Sequence, residues 1–191
     1  MSRTALRRHP ERAADLATVR AVLDEALHCH VGLVRDGAPV VLPTIHARID
    51  DTLYLHGSPA AGLLRDGRKG LELCVTATIV DGLVLAKSVF SHSMNYRSVV
   101  LFGTARRVTD APEKLAGLKA VTEHVAPGRW CAARRPTERE LRETEVLALP
   151  IAEVSAKVRS GPPVEGPLDA ELDVWSGVIP VSLVRGEPIP A

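Results

Sequence analysis

The strongest constraint on the fold is a succession of short β-branched runs separated by turn dipeptides. Between positions 28 and 57, Asp36-Gly37 and Asp50-Asp51 divide three such runs, and Asp81-Gly82 divides a later apolar run into a further strand pair. Dipeptides of this kind are typical of tight turns between strands. Connections this short join antiparallel neighbours. The pattern therefore predicts an antiparallel meander.

Helical patterns occupy only a few connections. The stretch ERAADLATVRAVLDEAL after Pro10 places its apolar residues near one face, and DAPEKLAGLKAVTEHV follows Asp110, a plausible N-cap. TERELRETE carries a Thr-x-x-Glu capping box from Thr137 to Glu140. A parallel α/β sheet would need a helix after nearly every strand. We expect a mainly β (α+β) fold, an antiparallel barrel with peripheral helices, in a single domain over 1–191 with a flexible tail at 1–9.

Composition excludes several classes of protein. The 24 basic residues nearly cancel the 23 acidic ones, so no overall field favours nucleic acid or an anionic membrane, and no basic face indicates a DNA-binding regulator. Aromatic residues make up only 3%, so the core must consist of aliphatic side chains. Three cysteines without a CxxC pair and the lack of a long apolar segment predict a cytosolic protein.

Histidines are the residues that most invite a chemical interpretation. The triplet His28-Cys29-His30 combines zinc-type ligands, but alternate strand residues point to opposite faces, so the three side chains do not converge on one ion. His46 and His56 lie on neighbouring predicted strands and could face each other across the pair, or each could be a structural residue with satisfied hydrogen bonds.

His56 is the better functional candidate of these two histidines. It ends a strand and is followed by Gly57, Ser58 and the predicted short helix SPAAGLLRDG. The free N–H groups at a helix start bind anions such as phosphate. The alternative is that Gly57 and Ser58 only turn the chain and cap that helix.

Familiar catalytic and nucleotide motifs are missing. The chain has no GxSxG elbow, no GxGxxG and no GxxxxGK[ST], and its acidic residues do not pair among the strands. Hydrolytic catalysis is therefore disfavoured.

Two stretches resemble a known family: LPTIHARIDDTLYLHGSPAAGLLR (42–65) and FSHSMNYRSVVLFGTARRV (90–108). Together with CHVGLV, PGRW, SAKVRSGPP and VWSGVIPV, they are similar to the pyridoxamine 5'-phosphate oxidase-related flavoproteins, and most of all to the branch of Nim-type 5-nitroimidazole reductases. The resemblance covers about residues 10–187.

This resemblance implies an antiparallel split β-barrel of the FMN-binding type, assembled as a homodimer with two flavin sites at the subunit interface. His56 matches an active-site histidine of the branch, and Tyr96 is a second candidate for a catalytic proton donor. The implied cofactor-binding residues are Leu42, Pro43, Thr44, Ile45, His46, His56, Gly57, Ser58, Arg65, Arg97 and Ser98.

The chain departs from the family where the FMN phosphate is usually held. Ala61-Gly62-Leu63-Leu64 replaces the usual cationic residues, and Arg65 is the nearest remaining cation. Arg97 is a possible replacement, as are Arg68 and Lys69. Each lost charge-assisted hydrogen bond would cost roughly 1.5–3 kcal/mol of binding free energy. The C-terminal SLVRG also lacks the Trp and Arg of true pyridoxamine phosphate oxidases, so vitamin B6 oxidation is not the expected activity.

The resemblance implies an FMN-dependent oxidoreductase that reduces a small electron-poor substrate, with NAD(P)H as a possible electron donor. The alternative is a non-catalytic flavin- or haem-binding barrel. In that case the iron ligands would be sought among His28, His30, His46, His56 and His92.

Overall fold

The computed structural model of the protein describes residues 3–4, 9–58 and 70–190. Its α-helices are α1 (Leu16–Glu25), α2 (Ala111–Val125), α3 (Arg129–Ala132) and α4 (Glu138–Arg142). Its strands are β1 (Ala13–Ala14), β2 (Cys29–Arg35), β3 (Ala38–Thr44), β4 (His46–Ile49), β5 (Thr52–Gly57), β6 (Leu71–Leu85), β7 (Ser93–Arg107), β8 (Glu145–Pro150), β9 (Glu153–Arg159) and β10 (Gly177–Pro180). None of the helices in these ranges is long and apolar enough to span a bilayer.

The strands form one antiparallel sheet that curls into a partly closed barrel. The main order is β3-β2-β6-β7-β8-β5-β4, while β9 adds to β7 and β10 adds to β6. The two ends of this order, β3 and β4, are joined through Ile45 alone, so the chain itself brings them together. The predicted mainly β, antiparallel barrel with peripheral helices is confirmed.

The turns at Asp36-Gly37 and Asp50 are confirmed. Asp36, Gly37 and Asp50 all have positive φ, which Asp and Gly tolerate better than other residues. The run between the two turns was expected to be one strand, but it is interrupted at Ile45. Its first part, β3, pairs with β2, and its second part, β4, pairs with β5.

The predicted hairpin at Asp81-Gly82 is wrong. β6 runs straight through this dipeptide and pairs with β7 on both sides of it, with a register shift between Val80 and Gly82. Asp81 is the extra residue of this bulge, which lets the strand continue with an altered twist. A Cβ at Gly82 would lie 2.8 Å from a methyl group of Val178, so the glycine allows β10 to approach β6 closely.

The local helix signals are confirmed. Asp110 accepts a hydrogen bond from the backbone N–H of Glu113 (2.9 Å) at the start of α2. The Thr137–Glu140 capping box is present at the start of α4, with both reciprocal hydrogen bonds. Such caps depend on three or four consecutive residues, which is why sequence alone predicts them.

The barrel interior is filled by aliphatic side chains, as the low aromatic content predicted. Val31, Leu55, Val99, Leu101 and Leu147 are each fully buried. A smaller cluster under α2 is built around Tyr54.

Part of the predicted flexible tail lies against the sheet. Arg3 donates to both carboxylate oxygens of Glu153 on β9 (3.1 Å from Nε to each) and stacks over the ring of Phe102. Positions 1–2 and 5–8 of the tail lie outside the described residues.

Two histidines hold the C-terminal end of α1. His46 Nε2 lies 2.9 Å from the carbonyl oxygen of Leu23, and His124 Nε2 lies 3.0 Å from that of Ala26. Because a carbonyl only accepts, both Nε2 atoms carry the proton. The last carbonyls of a helix have no partner within the helix, so these imidazoles stabilise the end of α1.

We predict that His46 makes the protein sensitive to mild acid. Burial lowers the pKa of His46 to about 4, whereas an unfolded histidine titrates near 6.5. Below about pH 6.5 the imidazole of residue 46 therefore binds a proton in the unfolded chain, whereas in the folded chain it stays neutral down to about pH 4. The contribution of neutral His46 to the free energy of unfolding is fully present above pH 6.5. It falls by up to about 3 kcal/mol as the pH drops to about 4.

Urea unfolding from pH 4 to pH 7.5 measures this effect. His46→Gln keeps an N–H donor for Leu23 without a titrating group, so the pH slope should become shallower by about this amount. His30→Gln, at an exposed position, is the control and should keep the wild-type slope. An unchanged slope in His46→Gln would contradict the assignment.

Candidate functional site

His56 lies at the end of β5 with an unsatisfied nitrogen. Its Nδ1 is buried and has no hydrogen-bond partner among the described residues. Burial lowers the pKa of His56, so the imidazole is neutral at neutral pH. Gly57 ends β5, and the exposed Ser58 comes next. The predicted helix after Ser58, with Arg65 and the Ala61–Leu64 departure, lies outside the described residues, as do Arg68 and Lys69.

The face-to-face arrangement of His46 and His56 considered from the sequence is wrong. The residue opposite His46 is Leu55, and neighbouring residues of a strand point to opposite faces. His46 therefore lies inside the barrel, fully buried, whereas His56 points to the other side of the same strand pair, opposite Val146.

The strand expected to lie along the flavin turns most of its residues inward. Leu42 packs against the barrel core, and Thr44 and Ile45 are partly buried. Pro43 is exposed and lies opposite His30 of β2. Of the five residues from Leu42 to His46, Pro43 alone is exposed on the outer face.

Two further candidates share this outer face. Val99 and Leu101 point into the core, so the alternate residues Tyr96 and Ser98 point outward. Ser98 lies between Thr78 of β6 and Lys157 of β9. The structure thus places Pro43, Tyr96 and Ser98 on one surface, while His46 lies on the inner face of the barrel.

Arg97 has two carboxylate partners. It points inward from β7 at the end of the barrel, where its guanidinium donates to Glu25 of α1 and to Asp81 in the β6 bulge (2.7 and 3.0 Å to Asp81). These hydrogen bonds raise the pKa of Arg97, and the bond to Arg97 lowers the pKa of Glu25. Arg97 was expected to be available for a phosphate, but the structure commits its guanidinium to these two carboxylates.

A cavity of about 630 Å³ opens beside this ion-pair network. It lies between the end of α1, the middle of β6 and the extended C-terminal segment 181–185. Its lining residues are Glu25, Ala26, Leu27, His28, Thr78, Ile79, Val80, Asp81, Val181, Ser182, Leu183 and Arg185. The backbone N–H of Val181 donates to the carbonyl oxygen of Asp81 (3.1 Å), which fixes the start of the C-terminal wall.

Sequence reasoning missed this cavity because its walls come from three distant parts of the chain. The available signal was the apolar stretch VWSGVIPVSLV near the C-terminus. Its pairing partner is β6. The Asp81-Gly82 dipeptide, considered alone, indicates a turn, so the sequence did not predict that β6 continues far enough to pair with this stretch.

The His28-Cys29-His30 triplet is arranged as its alternation predicted. Cys29 is buried inside the barrel, where desolvation raises the pKa of its thiol to about 12, while His28 and His30 are both exposed. The two imidazole centroids are 5.3 Å apart. Within the described residues, no three His, Cys, Asp or Glu side chains are grouped to hold a metal ion.

Solved structures include two close relatives that match almost the whole chain. The flavocytochrome Anf3 from Azotobacter vinelandii is 36% identical, with a TM-score of 0.92, over 100% of this chain and 89% of that one. The FAD and heme binding protein from Mycobacterium smegmatis is 36% identical, with a TM-score of 0.89, over 94% of this chain and 89% of that one. A putative 5-nitroimidazole antibiotic resistance protein from Bacteroides thetaiotaomicron is 25% identical, with a TM-score of 0.62, over 76% of this chain and 86% of that one.

A search of curated proteins found no match. The family model described as pyridoxamine 5'-phosphate oxidase matches residues 15–158. This match spans most of the barrel, from the N-cap of α1 to the end of β9, and agrees with the resemblance in the 42–65 and 90–108 stretches. The chain therefore belongs to the pyridoxamine 5'-phosphate oxidase family.

Proposed function

We propose that this protein is an oxidoreductase that binds a flavin and a haem and passes electrons from a reductant to a small acceptor. The observation that carries the proposal is the full-length likeness, at 36% identity, to two proteins whose names include both a flavin and a haem function. A shared fold alone does not determine the reaction, so the residues of this chain must also suit these groups.

The described residues suit a flavin in two places. The outer face around Pro43 offers a strand surface that also carries the Ser98 hydroxyl on β7. His56 offers a buried Nδ1 with no partner among the described residues. An unpaired buried polar atom is costly, and a bound group that hydrogen-bonds it would remove this cost.

The form of the flavin is part of the proposal. The family resemblance predicts FMN, whereas the M. smegmatis relative is named for FAD. Both contain the isoalloxazine ring, and FAD adds an adenylate to the phosphate of FMN. Mass spectrometry of the nucleotide released from native protein distinguishes them.

In this function the flavin supplies hydride and one-electron chemistry, and the chain positions the reactants. His56, neutral at neutral pH and only partly buried at the end of β5, is suited to exchange a proton with a substrate. Tyr96 is the second proton donor that we propose, since it lies on the outer face with Ser98.

A second candidate function is the reduction of a small electron-poor compound, such as a nitroimidazole, with NAD(P)H as electron donor. It is favoured by the likeness to the putative 5-nitroimidazole resistance protein and by the position of His56 at the end of β5. This function requires the flavin but not the haem.

The absorption spectrum of purified protein tests the proposal directly. We expect flavin bands together with a Soret band, and bleaching of the flavin bands when NAD(P)H or dithionite is added. Flavin bands without a Soret band, even after incubation with hemin, would favour the second candidate. Colourless protein that takes up neither group would contradict both.

We predict that His56→Ala lowers kcat/KM for electron transfer to the acceptor by at least about 100-fold, the usual contribution of a positioned general acid. The melting temperature should change little, because His56 is only partly buried and its Nδ1 has no described partner. His92→Ala, an exposed histidine, is the matched control and should keep wild-type kcat/KM. Turnover that is unchanged in His56→Ala would remove His56 from the mechanism.

We also propose that the protein works as a homodimer. Ile179, Leu83 and Met94 form a row across β10, β6 and β7, and each is between 41% and 46% exposed. Exposure of a continuous apolar row of this kind to water is unfavourable, and association with a second copy of the chain would bury it.

Light scattering on the purified protein should therefore give twice the chain mass of 20.5 kDa. Leu83→Asp places a charge in the middle of the row and should weaken the dimer by about 30-fold or more. Leu168→Asp changes an exposed leucine elsewhere, in the connection before β10, and should stay dimeric. A monomeric wild type would contradict this part of the proposal.

A further inference from the structure

The position of each histidine relative to the cavity decides which of them could bind iron. Haem iron in proteins is commonly held by a neutral imidazole nitrogen, so the candidate must have a free nitrogen beside a cavity. Four histidines do not line the cavity of about 630 Å³, and each has one ring nitrogen bonded to another group: His46, His124 and His92 to backbone carbonyls through Nε2, and His9 to Glu11 through Nδ1.

Three histidines remain: His28, His30 and His56. Of these, His28 lines the cavity of about 630 Å³ described above. His30 lies beside His28 but is not part of the cavity wall. The imidazole of His28 makes no hydrogen bond with another described residue, and its ring centroid lies 5.3 Å from that of His30.

The walls of this cavity suit a porphyrin. Five aliphatic side chains supply apolar surface: Leu27, Ile79, Val80, Val181 and Leu183. A haem also carries two propionates, which need a cation. Arg185 lines the same cavity and forms no ion pair with another described residue.

One of the two negative charges of the wall is offset by Arg97. Glu25 and Asp81 both line the cavity, and both are held by the guanidinium of Arg97. Arg97 therefore weakens the repulsion between these carboxylates and an anionic ligand, and Arg185 brings the net charge of the four side chains to zero.

We propose that His28 would ligate the iron of a haem held in this cavity, with Arg185 as the cation that pairs with its propionates. This inference rests on the proposed function, because it assigns a place to the haem. It also gives the C-terminal segment 181–185 a role, as the wall that closes the cavity over β6.

Hemin titration of full-length protein, followed by absorbance, tests the assignment. His28→Ala should weaken haem binding by about 100-fold or more, since the loss of an outer-shell partner of a metal ligand already costs 10- to 100-fold. The matched control is His30→Ala, which removes the neighbouring exposed imidazole and should bind haem as the wild type does. His56→Ala should likewise retain the haem.

A second variant separates ligation from folding. In His28→Gly, imidazole added to the buffer should enter the vacated position and restore the wild-type Soret maximum. Arg185→Ala should weaken haem binding by roughly 2- to 5-fold, as expected for an exposed ion pair, and Arg185→Lys should recover most of it.

The outcomes distinguish this inference from the proposed function. If the wild type takes up no haem, both the haem part of the proposed function and the present assignment fail. If the wild type binds haem and His28→Ala binds it equally well, the assignment alone is overturned. If His56→Ala loses the haem and His28→Ala retains it, the iron ligand is His56, at the end of β5, and the assignment to His28 is overturned.

Discussion

The long pairing of β6 with β7 determines the position of nearly everything else in the structure. It runs from Leu71 opposite Ala105 to Val84 opposite Ser93, and β6 continues to pair outward with β2 and β10 while β7 pairs with β9 and β8. The inner faces of the two strands contribute Val75, Ala77, Val99 and Leu101 to the core, all essentially inaccessible to water. Since aromatic side chains are scarce, the stability of the barrel depends on the summed burial of such aliphatic residues.

The bulge at Asp81 introduces a charged side chain into this otherwise regular pairing. The extra residue changes the twist of β6, and the Asp81 carboxylate meets Arg97 on the neighbouring strand. The same ion pair reaches Glu25 and therefore ties α1 to the sheet. The cavity lies where the end of α1 and the bulged part of β6 meet the C-terminal segment. Its shape therefore depends on a local irregularity and not on the regular part of the barrel.

Sequence reasoning succeeded where the controlling interactions are local. The caps at Asp110 and Thr137 and the turn at Asp36-Gly37 were predictable because each depends on a few adjacent residues. Asp81-Gly82 has the same composition as a turn, but pairing along the whole of β7 overrides the local preference. Periodicity correctly separated Cys29 from its neighbouring histidines, because that separation needs only the alternation of one strand.

The candidate site was less accessible to prediction. Whether His46 and His56 share a face depends on the register between β4 and β5, which a one-residue shift reverses. The partners of Arg97 come from positions 25 and 81, and no local pattern indicates them. The family resemblance identified the flavin-binding context, but it gave no information on which candidate side chains are already occupied within the chain.

The two imidazoles at the end of α1 have a consequence for the order in which the protein folds. Their acceptors on the helix are 23 and 98 residues away along the chain from His46 and His124. An isolated helix of ten residues is marginal in water, so the last turn of α1 gains its full set of hydrogen bonds only after β4 and α2 have docked. The helix that borders the cavity is thus completed by contacts from distant parts of the chain, and the cavity cannot be formed by the N-terminal half of the chain alone.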